Sequence, residues 1–444
     1  MRTIDVNEAI DNNPFGRFQW SVVALCALLL IVDGYDVFVA GTVLPTLIAE
    51  WGLTKPQAGA LQAWALFGMM FGALAFGSLA DRIGRKKGIA ISFVLFTLST
   101  LLTGFASSPD QFKIFRFVAG LGCGGLMPNA VALMNEYAPK RLRSTIVALM
   151  FSGYSVGGMV AAGLGIGMIP QYGWQPMFFV AALPLLMLPL VLWKLPESLG
   201  FLIRQGQQEK ARRIYAKIDP LARLGKDDML VFTETKGRVR IGRRTVPPPA
   251  HVAHAHALGG VLLLPAACLS AVVLAARKVL QEAGYAERAS LVSLFHSTSA
   301  AWSAPSPAVG WATGSAFPKV VVGFFVAAAL SIALIGFNLP AGLLFLAIFI
   351  AGATTIGTQI LLYASVAQLY NLSVRSTGLG WASGVGRIGA IVGPTLGGVL
   401  LAQQLPLQQN FLIFAIPAAV SALAMLVFAI SNARRAGAIV LAAA

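Results

Sequence analysis

Charge, cysteine and histidine are all scarce in this chain. Only 11% of its 444 residues are charged and 57% are hydrophobic, whereas a soluble domain averages roughly 25% charged and 45–50% apolar. That balance excludes two or three soluble domains. Cysteine occurs three times, at Cys26, Cys123 and Cys268, each inside an apolar run and none at metal-ligand spacing, which excludes a secreted disulfide scaffold. The four histidines all fall between His251 and His296. His251, His254 and His256 suit zinc by ligand type alone; no metal and no cofactor is expected. The segment up to Gly16 holds Asp5, Glu8 and Asp11 and lacks an apolar core, so no cleaved signal peptide is expected.

What is present is a series of apolar runs of about 18 to 25 residues, each long enough to cross a hydrocarbon core of ~30 Å. They recur from Trp20 almost to the C-terminus. Strands of a membrane barrel would instead be about ten residues of alternating polarity. The 33 Lys and Arg against 17 Asp and Glu leave a formal charge of +16. In a soluble protein such an excess would suggest nucleic acid, but here the cations fall in alternate loops: Arg82, Arg85, Lys86 and Lys87; Lys140, Arg141 and Arg143; Arg204 to Arg213; Arg375; Arg434 and Arg435. This is the positive-inside distribution. It predicts an even number of spans, both termini in the cytoplasm, and lipid rather than nucleic acid as the surrounding partner.

Spans are expected near 19–45, 57–80, 88–106, 111–135, 144–169, 174–195, 257–277, 290–312, 319–338, 340–367, 376–402 and 409–431. The expected fold is thus an all-α membrane protein of twelve transmembrane helices in two pseudo-symmetric six-helix bundles. The first bundle covers 1–195, a cytoplasmic linker 196–250, the second bundle 251–431 and a cytoplasmic tail 432–444. An amphipathic pattern at Glu209–Tyr215 in the linker suits the cytoplasmic interface. The halves repeat: Arg143-Ser-Thr145 matches Arg375-Ser-Thr377 at an offset of 232 residues, and the same offset carries Gly157 onto Gly389. Such half-and-half repeats mark transporters that hold substrate near the midplane.

Between spans two and three stands Gly77-Ser-Leu-Ala-Asp81-Arg82-Ile-Gly84-Arg85-Lys86-Lys87. A helix ends, glycine permits a tight turn, and one carboxylate sits among four cations, able to latch a neighbouring helix by charge-assisted pairing. Here the chain resembles the major facilitator superfamily. Span four opens Arg116-Phe-Val-Ala-Gly120-Leu-Gly122-Cys-Gly124, which resembles that superfamily's second motif. The resemblance implies the major facilitator fold, alternating access, and a gating set of Gly77, Asp81, Arg82, Gly84, Arg85, Lys86, Glu136, Arg143 and Arg375.

In span one, Asp33-Gly-Tyr-Asp36 places two carboxylates on nearby faces of one helix. Burial at lipid depth favours a protonated carboxyl, so Asp33 and Asp36 are candidates for proton coupling; the competing reading is a pair satisfied by a cation such as Arg116. The Asp-Gly-Tyr-Asp element with Gly41 to Pro45 resembles the aromatic acid:proton symporters of the superfamily, in particular benzoate and muconate carriers. A carboxylate cargo needs an intramembrane cation. Arg387 in span eleven is the first choice and Arg116 the second, against pairing of Arg387 with an internal acid such as Asp36 or snorkelling of Arg116 to the interface. Tyr35, Trp64, Tyr154 and Trp381 are candidate stacking partners for an aromatic ring.

From Val231 to Pro318 the composition changes, with Pro247-Pro-Pro249 ahead of span seven and Pro305-Ser-Pro307 inside span eight. The second copy of the Gly-Asp-Gly loop should centre on Thr313 and is missing. In a neighbouring reading frame Ala308 to Ala316 permit that motif in register, with aspartate over Thr313. The expectation is therefore a segment read out of frame in 231–318, which the coding DNA decides.

Together these features point to a monomeric, proton-coupled importer of a small aromatic carboxylate in a bacterial-type inner membrane. The open alternatives are a carrier of another organic acid or a sugar, and a transport-inactive product of a frameshifted gene. No enzyme is expected: no Ser/His/Asp set or phosphate-cradling loop is present.

Overall fold

A computed structural model describes residues 3–220, 228–232, 317–337, 339–369, 375–403 and 405–443. Spans seven and eight, the four histidines, Cys268 and nearly all of the segment expected to be out of frame lie outside the described residues. Within them, eight segments are long and apolar enough to cross a membrane: spans one to six, ten and twelve. The first five spans are the helices Arg17–Trp51, Lys55–Ile83, Arg85–Thr103, Pro109–Tyr137 and Arg143–Tyr172. Spans nine to twelve are Phe317–Ile335, Ala341–Leu369, Arg375–Ala402 and Leu407–Ala443.

Local chemistry sets the helix ends. Thr54 and Gln57 form a capping box at the start of span two, with the Thr54 amide donating to Gln57 Oε1 at 2.9 Å. Gly84 joins spans two and three at a φ of 101°, a conformation a side chain would strain. Span six departs from the single helix expected over 174–195. It divides into Gln175–Val180, a 3₁₀ turn at Leu183–Met187 and Leu188–Lys194, because Pro184 and Pro189 each lack the N–H that would continue the ladder. Span twelve runs past its expected end at 431, through Ala433, Ala436, Ala438 and Ala442, residues of the highest helix propensity.

Glycines decide which spans touch. Gly68 and Gly72 of span two meet Phe117 and Leu121, while Gly120 and Gly124 of span four meet Ala65 and Met69. These are reciprocal small-xxx-small faces, through which backbones approach closely where no hydrophobic force distinguishes helix from lipid. Spans one and five meet likewise, Gly34 against Tyr154 and Gly157 against Ile31. The two halves join through spans two and eleven, with Gly77 against Ser376 and Gly380 against Ala73.

One feature breaks the all-helical pattern. β1 (Thr3–Asp5) pairs in parallel with β2 (Met229–Val231), Ile4 opposite Leu230; three-residue strands are too short to show a period. Beside this ribbon the helix Gln208–Ile218 carries the expected amphipathic pattern. Its apolar face, Ala211, Tyr215 and Ile218, is buried within the chain, against the Leu199–Arg204 helix, β2 and span one, so it is covered by protein and not offered to an interface.

Gly72→Val and Gly120→Val should each force the span two and span four crossing apart, costing about 1–3 kcal/mol and lowering the thermal midpoint of the purified protein. A Cβ at Gly163 or Gly167 meets nothing within 4 Å, so Gly163→Ala should leave that midpoint unchanged or slightly raised. Equal effects at both places would contradict this packing.

Candidate functional site

Two clusters of polar groups interrupt the apolar bundle. The first lies at the end where spans two and three connect. Asp81 Oδ2 accepts from the Thr377 amide at 3.0 Å and from the Thr377 hydroxyl at 2.8 Å. Thr377 is in the first turn of span eleven, where backbone N–H groups have no helical partner. Asp81 thus caps a helix of the opposite half, and its charge also complements the positive end of that helix. Gly77 lets the two helices approach closely enough for this contact.

Arg85 is buried and ion-paired with Glu136, and its Nη1 also donates to the Ala132 carbonyl at 3.1 Å. Glu136 accepts from the Ser198 hydroxyl at 2.6 Å. Glu197 Oε1 accepts from the amides of Arg85 at 2.7 Å and Lys86 at 3.2 Å, which caps span three. Of the other expected gating residues, Arg82 is exposed, Arg143 donates to the Ala138 carbonyl at 3.1 Å, and Arg375 lies near Arg85. Glu197 and Ser198 were not anticipated. Their signal is a carboxylate and a capping serine directly after span six.

The second cluster lies inside the bundle. Asp36 is 2% exposed and Arg116 1% exposed. Arg116 Nη1 donates to Asp36 Oδ1 at 2.8 Å and Nη2 to the Asp36 carbonyl at 2.9 Å. The Thr100 hydroxyl lies 2.5 Å from Asp36 Oδ1, and the Cys123 thiol donates to Oδ2 at 3.4 Å. Arg116 therefore does not snorkel; in this state it is occupied by Asp36. A small, partly open cleft between spans one, two and four, lined by Val37, Gln62, Leu66, Met69 and Gly120, reaches the pair.

Asp33, one helical turn away, is fully buried, and neither carboxylate oxygen has a hydrogen-bond partner among the described residues. Arg387 comes from the other half and is 6% exposed. Its Nη2 lies 3.7 Å from Met127 Sδ, and its charge acts on Asp33, Tyr154 and Tyr363, with no direct ion pair to either aspartate among the described residues. A cation and a carboxylate thus face each other across the two halves, close yet unjoined.

Of the expected aromatics, Tyr154 joins this group, its ring edge-on to Phe38 at 5.6 Å. Tyr35 instead ties span one to span six, its hydroxyl donating to the Met177 carbonyl at 2.8 Å. Trp64 and Trp381 are 41% and 53% exposed and are not gathered with Arg387; Trp64 packs on Phe67 and Phe117. Tyr363 was not anticipated. It stacks on Phe151 at 5.1 Å and shares a 2.6 Å hydrogen bond with Ser383. Its signal was an aromatic hydroxyl one turn beyond the polar residues Thr358 and Gln359 of span ten. No group of three metal-ligand side chains occurs among the described residues.

Comparison with known proteins follows the same lines. Residues 22–245 match the family described as sugar (and other) transporter. The benzoate transport protein of Acinetobacter baylyi is 40% identical, over 94% of this chain and 91% of its own length. The 4-hydroxybenzoate transporter PcaK of the same organism is 33% identical, over 96% and 94%. Among solved structures, the major facilitator proton:xylose symporter XylE aligns with a TM-score of 0.73 at 16% identity, covering 94% of this chain and 97% of that one, which shows a shared fold.

The two aspartates should separate in a stability measurement. Asp36→Asn leaves Arg116 buried without its counter-charge, a loss of about 3–5 kcal/mol, and should depress the thermal midpoint in detergent. Asp33→Asn breaks no direct ion pair among the described residues, only the longer-range attraction to Arg387, and should depress the midpoint less; the reverse order would contradict the pairing. At the other cluster, Asp81→Ala removes a cap worth about 1 kcal/mol. A cysteine in place of Ser376, buried at the same seam, should then react with a soluble thiol reagent roughly five-fold faster, and an unchanged rate would show that Asp81 does not hold the halves together.

Proposed function

The chain belongs to the sugar (and other) transporter family of the major facilitator superfamily, and we propose that it imports a small aromatic carboxylate together with a proton. The observation that carries this reading is Arg387 facing Asp33 across the two halves, beside Tyr154 and the stacked Phe151–Tyr363 pair. The relatives named for benzoate and 4-hydroxybenzoate support the aromatic class of cargo. They do not favour a sugar, an unrelated acid or an inactive chain.

The coupling follows from charge. An ion without a counter-charge in a water-poor interior costs several kcal/mol. With no substrate on Arg387, Asp33 as an anion is its natural counter-charge. When a substrate carboxylate takes Arg387 in a two-pronged charge-assisted contact, one cation would face two anions unless Asp33 takes up a proton. Substrate and proton therefore enter together. When the substrate departs, Arg387 again favours the ionised Asp33 and the proton is released, so one proton accompanies each carboxylate.

We assign the moving proton to Asp33 and not to Asp36, because Asp36 is already held by Arg116, Thr100 and Cys123. Arg116 then serves as the fixed partner of Asp36, and Arg387 alone anchors the anion. Tyr154 and Tyr363 offer flat apolar faces to the ring. Asp81 capping span eleven closes one face of the carrier; opening breaks that cap and exposes Arg387 and Asp33 on the Asp81 side. We place the protein as a monomer in a bacterial-type inner membrane with that side and both termini in the cytoplasm.

Uptake of radiolabelled benzoate by cells expressing the chain should be abolished by a protonophore and reduced by 4-hydroxybenzoate and muconate. Arg387→Ala should reduce uptake at least a hundred-fold, since a buried charged contact is lost. Uptake that persists in Arg387→Ala would overturn the anchor. Uptake that appears only when the frame over 231–318 is restored would assign the activity to the in-frame product.

A further inference from the structure

Span four presents a different neighbour to each of three consecutive residues. Gly122 meets Phe96 of span three and Gly124 meets Met69 of span two. At ~100° per residue, Cys123 between them is the side chain turned to span one. It is 1% exposed, and its thiol stands against both carboxylates of that span. A thiol has one hydrogen to donate. Its sulfur lies 3.4 Å from Asp36 Oδ2, where Asp36 already has Arg116 and Thr100, and it also reaches Asp33, whose oxygens have no other donor among the described residues.

We propose that Cys123 is a positioning residue for the proton step, a donor that turns between two acceptors. With Asp33 protonated, the thiol donates to Asp36. With Asp33 ionised, it turns about χ1 to donate to Asp33, while Asp36 keeps its contacts to Arg116 and Thr100. The sulfur keeps its own hydrogen throughout; the transported proton passes between Asp33 and water. The charged and titratable groups around the thiol are Asp33, Asp36, Arg116, Arg387 and Tyr154. Tyr35 stands beyond Asp36, and Tyr363 beyond Arg387. None of these supplies Asp33 with a hydrogen bond in this state. The proposal rests on the assignment of the moving proton to Asp33.

Two measurements test it. In proteoliposomes, Cys123→Ala removes the donor to ionised Asp33, which then holds its proton to higher pH. The alkaline limb of the uptake profile should move up by about one pH unit, with KM for benzoate changed less than two-fold, and Cys123→Ser should restore the profile. A wild-type profile in Cys123→Ala, or a serine variant that behaves like alanine, would overturn the role. The second measurement needs no substrate. In purified protein, the infrared S–H stretching band that vanishes in Cys123→Ala should shift with pH in the wild type and stay fixed in Asp33→Asn. A band that ignores pH, or whose shift survives Asp33→Asn, overturns the proposal independently of what the protein carries.

Discussion

An ionised side chain held at lipid depth must find an opposite charge or a set of hydrogen bonds, and the site is arranged around that requirement. Asp36 and Arg116 satisfy it within the first half. Asp33 and Arg387 satisfy it only partly, from opposite halves, and so remain free to answer to a third charge. A carrier needs this asymmetry. If both pairs were closed, cargo would find no unoccupied cation; if both were open, the bundle would bury two uncompensated pairs at a cost of several kcal/mol each.

The same economy governs the latch. Asp81 satisfies amide and hydroxyl donors of Thr377 on the opposite half, a contact worth about 1 kcal/mol. Within the first half, Arg85, Glu136, Glu197 and Ser198 form a buried network linking spans three and four to the linker. Breaking a buried ion pair costs about 3–5 kcal/mol. The first half is therefore tied together more firmly than the seam between the halves, which is the weaker join. Close glycine contacts at Gly77 and Gly380 bring spans two and eleven together without bulky side chains interlocking across the seam, which leaves it able to part.

Much of this was legible in the residues. Long apolar runs and alternate basic loops read directly as spans, and the Gly77–Lys87 loop read as a turn with a carboxylate able to reach a neighbouring helix, which Asp81 does at Thr377, because spacing of that kind is local. Pairing between spans was not local. Both Arg116 and Arg387 were candidates for the same anion, and Asp36 was an available partner for either; only the packing of span four against span one allotted it to Arg116. Tyr35 read as a cavity aromatic but spends its hydroxyl on Met177, and Trp64 and Trp381 are half exposed, because helix rotation cannot be read from spans apolar on every side. Cys123 read only as one of three scattered cysteines, each inside an apolar run. Its meaning lies in which way each neighbouring glycine faces.

On the proposed mechanism, Arg387 cannot hold a substrate anion while Asp33 is also ionised. The most direct test is the proton flux that accompanies benzoate entry into proteoliposomes, read with an internal pH indicator for the wild type and for Asp33→Asn. The account predicts inward acidification, one proton for each benzoate, in the wild type. In Asp33→Asn it predicts benzoate exchange without coupled proton movement. Proton-coupled entry that survives Asp33→Asn would contradict it.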